Sequence, residues 1–149
     1  MTVRRVWVQA GRLLVLWPLL WLVSWLQLRW AWGGLLGGNE SIACATCRFE
    51  DDIRLWAAIV ALPLGVLFVR LPERSGFWLL RWLLLLAAWA WANDALLSDR
   101  MWGVFLPAER LVYQFRYAAL PAVLLAAALT GLWWFGRKVL SARFPLFFR

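Results

Sequence analysis

Cys44 and Cys47, separated by Ala45 and Thr46, are the residues whose type and spacing could carry chemistry. Two intervening residues let the sulfurs reach bonding geometry within one turn of chain, and the same spacing is found in redox-active dithiols. Arg48, directly after Cys47, favours a thiolate, whereas Glu50, Asp51 and Asp52 oppose one, so the local electrostatics are mixed. The pair can also form a local disulfide that stiffens a glycine-rich loop, or stand as two free thiols. This structural reading is preferred, because a short motif carries a mechanism only in its proper context.

Little else in the chain could be catalytic. Histidine is absent, which removes the commonest haem and metal ligand and the usual general base near neutral pH. Two cysteines cannot complete a tetrahedral zinc site, and no glycine-rich phosphate loop or Gly-x-Ser-x-Gly elbow occurs. No metal is expected. An enzymatic reading rests on Cys44 and Cys47 alone, with Arg48 beside them.

The elements that would position this loop are apolar. In a chain of 149 residues that is 64% hydrophobic, with mean hydropathy +0.70, most of the surface must face lipid or other membrane subunits, since soluble domains use only about 45–50% apolar residues. Residues 33–54 form the longest polar interruption. Before them, residues 13–32 are long enough as a helix to cross the hydrocarbon core of about 30 Å. This run is too long and too rich in tryptophan for a cleaved signal peptide.

After the loop, residues 54–70 form a shorter crossing, with Pro63 near its middle and Arg54 and Arg70 at its ends; snorkelling or bilayer thinning would let it span. Pro72 and Gly76 mark a tight turn. Residues 77–97 form the third crossing, with Arg81 one turn inside it. Residues 98–116 mix Trp102, Phe105, Leu111 and Phe115 with Arg100, Glu109, Arg110 and Gln114, a pattern suited to the membrane interface. Pro107 is placed to start a helix, and residues 117–136 form the fourth crossing. The expected fold is therefore all-α: one polytopic domain of four transmembrane helices with an interfacial segment on the outer face.

Charge sets the orientation. With the amino terminus, the Arg70 turn including Arg81, and the carboxyl terminus on one side, that side holds ten basic residues and one acid, Glu73; the other holds six basic residues and seven acids. The positive-inside rule makes the first side cytoplasmic and turns the cysteine loop outward. The net charge of +8 thus reflects membrane orientation, and no nucleic-acid partner is expected, because the basic residues flank apolar runs and form no single polar-interleaved patch. Arginine dominating lysine and short loops suggest a bacterial inner membrane.

Fourteen tryptophans need a role. Trp17, Trp21 and Trp25 recur every four residues, and Trp78, Trp82 and Trp89 fall on a similar stripe. Indoles near helix ends make interfacial belts and others pack helix on helix. The sharper alternative is a groove contacting another subunit or holding a flat ligand such as a quinone, a pigment ring or a lipid. Among the polar positions, Ser24, Gln27 and Thr130 read as interhelical hydrogen bonds. Asp94 lies at the same end as Arg29 and Arg116, which are its candidate ion-pair partners.

Four crossings, both ends cytoplasmic, and a Cys-x-x-Cys in the first outer loop just before the second crossing together resemble the DsbB family of membrane oxidants, which pass electrons from a periplasmic thiol partner to a quinone. The resemblance implies that Cys44 and Cys47 would reduce a quinone beside an arginine. In that family the arginine lies four residues beyond the second cysteine, where this chain has Asp51, with Arg48 and Arg54 nearby. The family's second cysteine pair has no counterpart in the second outer segment.

The residues favour a non-catalytic integral membrane subunit that assembles with or stabilises a larger inner-membrane complex, with membrane lipids and other integral subunits as partners. A DsbB-like thiol oxidoreductase and a lipid- or hydrophobic-ligand-binding membrane protein are the alternatives.

Overall fold

In an apolar solvent every backbone N–H and C=O must find a partner within its own segment, so runs of Leu, Ala and Trp coil into helices. The computed structural model describes residues 3–36, 48–72, 77–100 and 107–143, and among them no strand occurs. The helices are α1 (Val3–Leu36), α2 (Phe49–Arg70), α3 (Phe77–Arg100), α4 (Pro107–Tyr113) and α5 (Ala119–Arg143), with a π-helical turn over Gln114–Ala118 joining the last two. Cys44 and Cys47 lie outside the described residues.

Both helices beside the cysteine loop run further than their local sequence suggests. α1 passes through Gly33 and Gly34 to Leu36, although glycine costs about 1 kcal/mol in a helix interior. Burial of Ala31, Trp32 and Leu36 against the rest of the chain offsets that cost. α2 begins at Phe49, not near residue 54: Arg48 is extended, and its carbonyl accepts from the N–H groups of Asp51 and Asp52 at 3.0 and 3.3 Å. Glu50, Asp51 and Asp52 occupy the first turn, where the positive end of the helix dipole stabilises carboxylates. Acids that read as loop by composition therefore serve as a helix start. The second helix is 22 residues long, about 33 Å at 1.5 Å per residue, so it needs no thinning to span.

At the opposite end Arg81 closes α2. Its guanidinium donates to the carbonyls of Leu71 at 2.9 Å and Pro72 at 3.3 Å, which satisfies acceptors that the helix end leaves open. Pro107 is the first residue of α4, where its missing N–H costs nothing. The interfacial segment and the fourth crossing expected from the sequence are joined: α4, the π turn and α5 follow one another without a break in helical backbone.

Among the described residues three stretches are long and apolar enough to cross a membrane: Trp7–Leu36, Phe49–Arg70 and Ala108–Leu132. α3 is long enough at 24 residues but less apolar, because it carries Arg81, Asn93 and Asp94 among its tryptophans.

Cross-helix contacts give the relative direction of each pair. Moving up α1, Gly65 of α2 sits against Leu13 and Trp17, then Arg54 meets Trp21, then Glu50 meets Arg29, so α1 and α2 are antiparallel. Phe68 meets Arg81 and Trp56 meets Trp91, so α2 and α3 are antiparallel. Ser24 meets Trp89 and Gln27 meets Asn93, so α1 and α3 run in parallel. Trp82 meets Thr130 and Asp94 meets Gln114, which sets α5 antiparallel to α3. The result is an up-down-up-down bundle in which α2 and α5 each pack on both α1 and α3.

Its core holds Leu20, Leu28, Ile53, Ala57, Val60, Leu85, Trp89, Leu96 and Ala126. At Gly65 a Cβ would come within 3.0 Å of Leu13 Cδ1. A small residue there lets α1 and α2 approach closely.

Candidate functional site

The most concentrated polar chemistry among the described residues is a buried seam between α1 and α3. Ser24 and Gln27 lie on one face of α1 and Trp89 and Asn93 on one face of α3, because spacings of three and four bring helical side chains into line. The Trp89 indole donates to Ser24 Oγ at 2.9 Å. Gln27 and Asn93 exchange amide hydrogen bonds, with Asn93 Nδ2 to Gln27 Oε1 at 3.2 Å and Gln27 Nε2 to Asn93 Oδ1 at 3.4 Å. Asn93 Nδ2 also donates to the Trp89 carbonyl at 2.6 Å, and Asn93 Oδ1 accepts from the Trp32 indole at 2.5 Å.

Ser24, Gln27, Trp32 and Trp89 are wholly buried and Asn93 nearly so. Burying such groups is tolerable only because they satisfy one another. Each polar atom that would otherwise address a ligand is engaged by its neighbour, so the seam is suited to locking α1 against α3 in one register. Thr130, at a similar juncture between α3 and α5, accepts from the Trp82 indole and donates to the Ala126 carbonyl at 2.9 Å.

Ion pairs gather at the end of the bundle that carries the cysteine loop. Arg29 pairs with Glu50, and its guanidinium lies over the Trp25 ring at 5.5 Å from the centroid. Asp94 accepts from Gln114 Nε2 at 3.0 Å and has Arg110 Nη1 at 3.8 Å; Arg110 also donates to Ser98 Oγ. Arg116 rests over the Tyr117 ring at 5.5 Å. The partner of Asp94 is thus Arg110, in place of Arg29 or Arg116. The reason lies in the π turn, which aims Arg110 and Gln114 together at α3.

The six tryptophans of the two stripes go to different neighbours. Trp17 packs near Gly65, Trp21 donates to the Arg54 carbonyl at 3.2 Å, and Trp25 lies under Arg29. Trp82 turns to α5, Trp89 to α1, and Trp78 faces outward. Trp25 Nε1, Glu50 Oε2 and Arg110 Nε are buried without a hydrogen-bond partner. Among the described residues no group of three or more Asp, Glu, Cys or His side chains is gathered as a metal site would require. Arg48 stands exposed at the start of α2, and the geometry of Cys44 and Cys47 beside it is outside the described residues.

Sequence reasoning found Ser24, Gln27 and Thr130 as interhelical donors and acceptors, but missed Asn93 and Trp32 as members of the seam. A signal existed. An asparagine within an apolar helix needs a partner at its own depth, and Gln27 lies about as far from the end of α1 as Asn93 from the end of α3. Comparison of the chain with protein-family models, curated proteins and solved structures finds no match.

Proposed function

We propose that this chain is an integral protein of a bacterial inner membrane that crosses it four times with both ends in the cytoplasm, and that it serves as a non-catalytic subunit assembling with or stabilising a larger membrane complex. The fourth crossing is α3. Its polar residues are matched inside the bundle, Arg81 by α2 carbonyls, Asn93 by the seam and Asp94 by Arg110 and Gln114, so they do not add the cost of unpaired groups in lipid. Exposed aromatic residues mark two levels: Trp7 and Trp30 on α1 are about 35 Å apart, and Phe115 and Phe135 about 30 Å apart along their rod, close to the separation of the two interfacial belts.

The subunit reading rests on Trp91. Its indole is 55% exposed and held edge-on by Trp56, with ring centroids 5.3 Å apart. A large aromatic surface fixed before binding loses little entropy on contact, and such residues anchor protein interfaces. The polar groups of the α1–α3 seam, by contrast, are spent on one another.

The test is gentle extraction from the native membrane followed by identification of the polypeptides and small molecules that accompany the protein. Stoichiometric recovery of larger membrane subunits, reduced several-fold by Trp91→Ala, is the expected outcome. A solitary protein carrying a quinone and a reducible Cys44–Cys47 bond would overturn it in favour of the oxidoreductase. A solitary protein with stoichiometric lipid or pigment would favour the hydrophobic-ligand reading.

A further inference from the structure

The π turn at Gln114–Ala118 decides which face of α4 meets α3. From the end of the π turn into α5 the residues turned inward are Ala118, Pro121, Ala122 and Ala126, with Leu125 and Leu129 beside them. Extending that face backward at 3.6 residues per turn centres it on Leu111, with Gln114 and Phe115 to either side. The observed inward residues are Arg110 and Gln114, so the face is centred earlier than Leu111, while Leu111, Val112 and Phe115 are exposed, Val112 by 64% and Phe115 by 76%. A π turn inserts one residue into a helix. One residue is worth about 100° of rotation, so the insertion turns α4 in the direction of this offset.

We propose that α4 is a two-register element. In the π register Asp94 holds Gln114 and Arg110, and the apolar face of Leu111, Val112 and Phe115 is displayed outward. In the α register the inserted residue is absorbed, α4 turns by about 100°, and Leu111 and Phe115 pack inward where Arg110 and Gln114 now lie. The two arrangements are discrete because each fills the same space against α3 with a different set of side chains. Asp94 is the fastening: it is the acceptor for Gln114 and lies 3.8 Å from Arg110 Nη1, while Ser98 secures the far side of Arg110. Interactions at Asp94 are thereby coupled to the display of an apolar surface about one helical turn away. Pro121, which removes the N–H that would bond the Tyr117 carbonyl, leaves the turn free to adopt either pattern.

The chain's two tyrosines report this directly. Tyr113 lies on α4, Tyr117 within the turn, and their rings stack with centroids 5.8 Å apart, while Tyr117 also touches Trp32 at 6.1 Å. In the α register Tyr113 takes the exposed position that Val112 holds now, and Tyr117 stays against Trp32. The full-length protein labelled with 3-fluorotyrosine and placed in phospholipid nanodiscs gives two fluorine resonances, whose broadening by dissolved oxygen reports exposure.

In Asp94→Leu the Tyr113 resonance is expected to shift and to broaden severalfold more with oxygen, with Tyr117 unmoved. Gln114→Leu, which removes one of the two tethers, is expected to split the Tyr113 resonance into both positions. Deleting Phe115 removes the inserted residue and locks the polar face inward, so Asp94→Leu in that background should leave Tyr113 where it is. An unchanged Tyr113 resonance in both Asp94→Leu and Gln114→Leu, with Tyr117 confirming the folded bundle, overturns the proposal. So does a Tyr113 shift in Asp94→Leu that persists in full after the deletion.

Discussion

Asn93 is the residue on which the buried seam converges. Its single amide accepts from Trp32 and Gln27 and donates to Gln27 and the Trp89 carbonyl. Asn93→Leu keeps the approximate volume but strands the Trp32 N–H and the Gln27 amide in an apolar interior. Interhelical hydrogen bonds in membranes average only about 0.6 kcal/mol, but an orphaned buried polar group costs about 1–3 kcal/mol. We therefore expect a loss of about 2 kcal/mol, measured by reversible unfolding in mixed detergent and lipid micelles. Adding Gln27→Leu should recover part of it, because removing both partners can be nearly neutral. Additive losses in the double variant would mean that the two amides act independently. The seam was partly legible in the sequence: polar atoms in an apolar run must be paired, which singles out Ser24 and Gln27, but the chain alone does not say with what.

At the scale of elements, α1 and α2 pack tightly at Gly65. A side chain there meets Leu13 Cδ1 first and then Trp17 Cβ. Gly65→Ala presses on a movable methyl group and should be mild, whereas Gly65→Val forces the helices apart and is expected to cost about 1–3 kcal/mol. Leu13→Ala in the Gly65→Val background should restore stability, and a failure to do so would place the strain in the backbone of α2. Helix termini follow a similar logic of contact overriding composition. The acids at the start of α2 and the glycines near the end of α1 read locally as loop. In the folded chain the first serve the helix dipole, and the second continue the helix because Trp32 and Leu36 beside them are buried.

For the whole molecule the proposed four crossings make a simple demand: an even number places both ends on one side. Reporter fusions at Met1 and Arg149 should both read cytoplasmic, and ends on opposite sides would reduce the crossings to three and lay α3 elsewhere. What the sequence by itself determined was the all-α class and the approximate positions of the apolar helices. These follow from a local rule, since backbone in lipid must bond to itself and the length of each apolar run sets the span. The basic residues at the proposed cytoplasmic ends were equally open to reading, because charge bias needs no contacts. Only the tertiary structure decided which indole meets which hydroxyl, which arginine pairs with Asp94, where α1 ends and α2 begins, and which face of α4 turns inward. Trp89 and Ser24 are 65 positions apart, Asn93 and Gln27 66, and Trp32 and Asn93 61. Pairings over such separations depend on how four helices come together in space, and the π turn bears on which face of α4 meets α3 without changing the hydrophobicity of any segment.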